Sequence, residues 1–193
     1  MSSLKSRIEL LESDLKDVPQ RIQVYDDWPF AILRYNPDEE WELRREINWL
    51  GTRLENVGKE IHTICMSEFL WKAIDETEGM DAVVDLEREE GYRRAQDQVT
   101  TYLSDKDFKP LAGMLKERLA SLDPKKAIAF LIRVGAMSPG LYYMSKLLDE
   151  MKGKTCVTTI LCYPGSLDGS TELRFMDLRD RDALGNYRVK IYG

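Results

Sequence analysis

The sequence predicts an α/β fold in a single domain: a central, mainly parallel sheet of about five strands with flanking helices, an N-terminal amphipathic helix over residues 1–18, and a helical insert over residues 79–123. Three observations carry this. The apolar run from Ala127 to Val134 and a second from Cys156 to Tyr163 read as strands buried on both faces. Between them lies an amphipathic segment with Leu141, Met144, Leu148 and Met151 at helical spacing, which makes the three a βαβ unit. The same order of strand then helix occurs earlier, where Phe30-Ala31-Ile32-Leu33 runs into a helix start at Asn36-Pro37-Asp38-Glu39.

From Ser3 to Asp17, Leu4, Ile8, Leu11 and Leu15 recur at intervals of four, three and four residues. One narrow stripe is therefore apolar while Lys5, Arg7, Glu9, Glu12 and Lys16 face water. The stripe can dock on the chain's own domain or on a partner; because it stands outside the sheet pattern, all four residues are candidates for partner binding. After the strand at 29–35, Leu43, Ile47, Leu50, Leu54 and Val57 mark the buried side of the next helix, and Gly58 is placed to cap its end. Trp41 and Trp49 fall off that stripe. Large aromatic residues at the rim of a buried face suit an interface, so both are further candidates for partner binding.

Ile61 to Met66 fits a second strand, and Ser67 is placed to cap a helix holding Phe69, Leu70 and Ile74. In the insert, Val84, Tyr92, Ala95, Val99 and Tyr102 follow one helical period, and Phe108, Leu111, Leu115, Leu119 and Leu122 another, which predicts two helices. Gly91 interrupts the first, and the charge run from Leu86 to Arg94 is a solvated face. In the βαβ unit, Ser138 and Pro139 are expected to open the helix. Tyr163 to Gly169 is a dense turn signal, and 172–176 and 187–192 are short edge strands joined by the charged loop 177–186.

Composition narrows the function classes. A hydrophobic fraction of 43 % suits a folded chain, and a net charge of −6, from 34 acidic against 28 basic residues, works against coating DNA or RNA through their phosphates. No apolar stretch reaches the length of about 18 residues needed to cross a membrane, and the N-terminus lacks a signal-peptide pattern, so a cytoplasmic protein is expected. Cys65, Cys156 and Cys162 all lie in apolar segments at spacings that match neither a zinc nor a redox pair, and are expected to be reduced core residues. His62, the one histidine, reads as a strand residue rather than a general base.

The turn Gly135-Ala136-Met137-Ser138-Pro139-Gly140 sits where α/β proteins place anions, at a strand-to-helix junction. It lacks the lysine and hydroxyl pair of a phosphate-binding loop, and no spaced glycine triplet marks a dinucleotide fold. The turn is therefore expected to be structural, with a degenerate nucleotide- or phosphate-binding regulator as the alternative. Glu150-Met151-Lys152 lacks the strand aspartate a nuclease would need and reads as surface charge. No residue is assigned to catalysis, to a metal or to a cofactor.

The run Phe130 to Pro139, followed by Ile160 to Gly169 and Leu173-Arg174-Phe175, resembles the BrxB family of bacterial phage-exclusion (BREX) systems. Tyr35-Asn36-Pro37 ahead of a charged helix and Asn186-Tyr187-Arg188 extend the likeness over nearly the whole chain. Asn36, where an acidic residue is expected, and Ser138, where an aromatic is common, depart from the pattern. The resemblance implies a small accessory protein without a catalytic motif. It would act with an alkaline-phosphatase-like subunit of PglZ type, a large ATPase and an adenine-specific DNA methyltransferase in phage defence and host DNA methylation. An adaptor working by protein contact, without a membrane or strong nucleic-acid attachment, is the expected function.

Overall fold

The computed structural model describes residues 3–18, 20–22, 28–168, 172–178 and 187–193. Its order is α1 (Leu4–Lys16), β1 (Phe30–Tyr35), α2 (Glu40–Glu55), β2 (Glu60–Cys65), α3 (Met66–Asp75), α4 (Gly79–Glu90), α5 (Tyr92–Ser104) and α6 (Leu111–Ala120). There follow β3 (Ala127–Ile132), a 3-10 turn at Val134–Met137, α7 (Met144–Met151), β4 (Thr158–Asp168), β5 (Glu172–Phe175) and β6 (Lys190–Tyr192). The strand order is β2-β3-β4-β1-β6, all parallel, and β5 adds an antiparallel arm to the far end of β4. The expected α/β class and mainly parallel sheet are present: among the described residues five strands form the parallel order and β5 is a sixth, off that path.

Alternation along the strands builds two cores. Phe30 and Ile32 of β1, Ala129 and Leu131 of β3, and Leu161 and Tyr163 of β4 meet α3, α5, α6 and α7 on one face. Ala31, Leu33, Tyr35, Ile128, Phe130, Ile160 and Cys162 meet α1 and α2 on the other. β1, flanked by β4 and β6, is buried at all six positions. The connection from β1 to β2 thus runs through α2 on one face, while those from β2 to β3 and from β3 to β4 run on the other.

Several expectations are corrected. The insert forms three helices. Gly91, at φ 88°, separates α4 from α5, and the stretch from Asp105 to Pro110 separates α5 from α6 because proline cannot donate to a continuing helix. Ser67 is not a cap: α3 starts at Met66, with Cys65 at the cap position. Ser138 does not open α7 either, since the amides of Ala136, Ser138, Gly140 and Leu141 are already bonded to carbonyls within the turn, and the helix waits until Met144. Pro164 and Gly165 continue β4 instead of turning. A Cβ on Gly165 (φ 147°) would lie 1.9 Å from the Arg174 carbonyl oxygen, so only glycine lets the β5 arm fold back so closely. Val57 is exposed beyond the end of α2, and Cys156 is exposed because β4 begins two residues later. Cys162 is buried and Cys65 half-buried. Of the charged loop expected at 177–186, residues 179–186 lie outside the described residues.

Candidate functional site

The stripe on α1 is part of the core. Leu4, Ile8, Leu11 and Leu15 are at most 2 % exposed, covered by β1, α2 and their neighbours, so in this fold they are not the partner surface they were expected to supply. The reason is geometric: α1 and α2 together must cover one whole face of the sheet, and α2 alone leaves the β6 side bare. Buried Asp14 locks α1 in place, accepting hydrogen bonds from Lys190 Nζ at 2.6 Å and Tyr192 Oη at 2.7 Å. Burial alone would push the Asp14 carboxyl up, but those two bonds and the nearby cations hold it below the usual carboxylate range.

Trp41 and Trp49 behave differently. They are 78 % and 52 % exposed on the solvent side of α2, two turns apart. Each stacks with an arginine: Arg44 Cζ lies 4.6 Å from the Trp41 ring centre and Arg45 Cζ 5.3 Å from that of Trp49. Trp49 also rims a groove of about 330 Å³ between α1 and α2, shared with Lys5, Ile8, Glu9, Glu12, Glu46 and Arg53. Trp71, 53 % exposed on α3, was missed in the sequence, where nothing but its place outside the Phe69, Leu70 and Ile74 spacing marks it.

A second feature joins residues far apart in the chain. At the carboxyl ends of the strands, a cavity of about 260 Å³ is lined by Tyr35, Glu40, Arg44, Ser67, Arg133, Gly135, Pro164 and Met176, among others. It lies where the connections leaving β1 and β3 depart to opposite faces of the sheet, the position at which open α/β sheets receive ligands. Tyr35 Oη donates to Glu40 Oε2, and Arg44 Nε donates to Glu40 Oε1 at 2.8 Å. Burial, then the Glu40 carboxylate, raises the Tyr35 phenol above its ordinary value, so it stays a proton donor. Arg133 is exposed in the left-handed conformation (φ 55°, ψ 34°), which is rare for a residue with a side chain. The sequence signal was present but faint: Glu40 and Arg44 stand four apart on a helix, and Arg133 is the charge that ends an apolar strand.

Among the described residues no group of three or more His, Cys, Asp or Glu side chains is placed to hold a metal ion, and no helix is long and apolar enough to cross a membrane. His62 lies in edge strand β2, paired in register with Ala129 and outside the cavity.

These features define a small α/β protein of open, mostly parallel sheet, with a crevice at its carboxyl edge and an arginine-stacked tryptophan face on one helix. Residues 62–191 match the family described as BREX protein BrxB. That span covers most of the 193 residues, and the chain belongs to the BrxB family and so to the BREX phage-defence systems. No curated protein and no solved structure matches it.

Proposed function

We propose that this chain is a non-catalytic adaptor of a BREX assembly and that it works through the solvent face of α2. The observation behind this reading is the pair Trp41 and Trp49, two large aromatics left in water and each held by a stacked arginine. Tryptophan and arginine dominate the energetics of protein interfaces, and side chains already fixed by stacking lose less freedom on binding. By family, the partner of choice is the alkaline-phosphatase-like subunit, with the ATPase and the methyltransferase as further subunits of the same assembly. Phage restriction and host DNA methylation would then both depend on the contact.

The exposure of these residues makes the test clean. Trp41→Ala, Trp49→Ala and the double variant remove no core contact and should melt like the wild type. Co-purification of the alkaline-phosphatase-like subunit should fall about tenfold for each single variant, equal to about 1.4 kcal/mol, and further for the double. Wild-type recovery by the double variant would place the contact elsewhere. Substitutions at Ile8 or Leu11 would report on folding instead, because those residues are buried.

A further inference from the structure

Among the described residues, the cavity at the carboxyl edge of the sheet is lined by two guanidiniums and one carboxylate, and only one of the two guanidiniums is paired. Arg44 is fixed twice, through Nε by Glu40 and through its face by Trp41, which leaves its terminal amino groups without a hydrogen bond among the described residues. Glu40 in turn is saturated by Arg44 on one oxygen and Tyr35 on the other. Arg133 makes no ion pair or side-chain hydrogen bond with a described residue, although it lines the same space. Ser67, held only by the weak partner Cys65 Sγ at 3.0 Å, adds a hydroxyl that can donate. In a chain of net charge −6, this is a local cationic surplus in which Arg44 is already held in place.

From this convergence we infer that the cavity is a binding site for a small-molecule phosphomonoester. Its terminal oxygens would lie between Arg44, Arg133 and Ser67. Arginine presents a planar fork that pairs two oxygens of a phosphate at once, and three separate donors suit a group with three terminal oxygens. A volume of about 260 Å³ exceeds what inorganic phosphate alone fills, so the organic part of the ligand is also accommodated. The glycine turn takes no part through its amides at Ala136, Ser138, Gly140 and Leu141, which are bonded internally. A carboxylate side chain of a protein partner is the competing occupant, and the inference does not depend on the adaptor reading.

Calorimetry on the full chain with inorganic phosphate, a sugar phosphate and AMP, and in parallel with a tri-glutamate peptide, tests the site. At least one phosphomonoester should bind tighter than about 1 mM, more tightly than inorganic phosphate, and lose affinity with added salt. Arg133→Gly should weaken binding about tenfold or more while melting at or above the wild-type temperature, since glycine relieves the left-handed strain. Arg44→Gln should weaken binding similarly, and Arg44→Lys should weaken it less. Absence of phosphomonoester binding at about 1 mM, unchanged affinity in Arg133→Gly and Arg44→Gln, or capture of the glutamate peptide alone would each overturn the assignment.

Discussion

Asp14 shows how much one side chain can settle. Its carboxylate is the shared acceptor for a lysine and a tyrosine 176 and 178 residues further on, and the helix that carries it is closed onto the sheet by that contact. Because its pKa is depressed in the folded state, the stability it contributes is complete above the unfolded carboxyl value of about 3.9. It is lost as pH falls through the lower folded value. Asp14→Asn should therefore be less stable than wild type at pH 7 by about 1–2 kcal/mol, and the gap should close on acidification below about pH 4. Denaturant titrations of both proteins at a series of pH values measure the gap; a gap that is constant with pH would show that the charge is not what counts. Nothing in the sequence near Asp14 announces this role, because its partners are at the other end of the chain. Arg133 is the opposite case: its place at the end of an apolar run was visible, but its left-handed backbone and its meeting with Arg44 required the fold.

At the scale of the element, α1 puts two leucines side by side in sequence and opposite in environment. Leu11 is wholly buried and Leu10 is 56 % exposed. Leu11→Ala should cost about 2–5 kcal/mol in unfolding free energy and Leu10→Ala no more than about 0.5 kcal/mol, as chemical denaturation would measure. Similar losses at both positions would mean that α1 does not dock as described. The helical spacing in the sequence located this stripe correctly but could not say what covers it, since periodicity records that a face is apolar and not which surface meets it. The buried strands at 30–35 and 127–132 and α2 were legible for a related reason: continuous apolar runs and a proline-acidic helix start are local signals. Misreadings cluster where a tertiary contact overrides local chemistry. Pro164-Gly165 reads as a turn, yet it is a strand because β1 and β5 pair with it on either side of the junction. Ser138-Pro139 reads as a helix start, yet the turn before it consumes the amides a cap would serve.

Across the whole molecule, both cores share one sheet, and β6 closes its otherwise open side next to β1. Removing residues 190–193 would uncover the β1 edge, strip Asp14 of both partners and expose the space left by buried Tyr192. The expected loss is about 4–6 kcal/mol, or about 10–20 °C in melting temperature for a chain of this size, together with concentration-dependent self-association through the bare edge. Calorimetry and light scattering on the truncated chain check both parts. An unchanged melting temperature in a monodisperse protein would show that β6 is dispensable.

The position of β1 also sets a timetable. As the chain is synthesised from N- to C-terminus, β1 is made well before its neighbours β4 and β6, which lie more than 120 residues further on. At about 5–20 residues per second, the ribosome needs roughly ten to thirty seconds after Tyr35 before Tyr192 exists to pair with it. Throughout that interval a strand that is buried at all six positions in the finished fold, and the leucine stripe of α1 beside it, are made before all their partners exist. The sheet can therefore close around β1 only after the strands far along the sequence have been made.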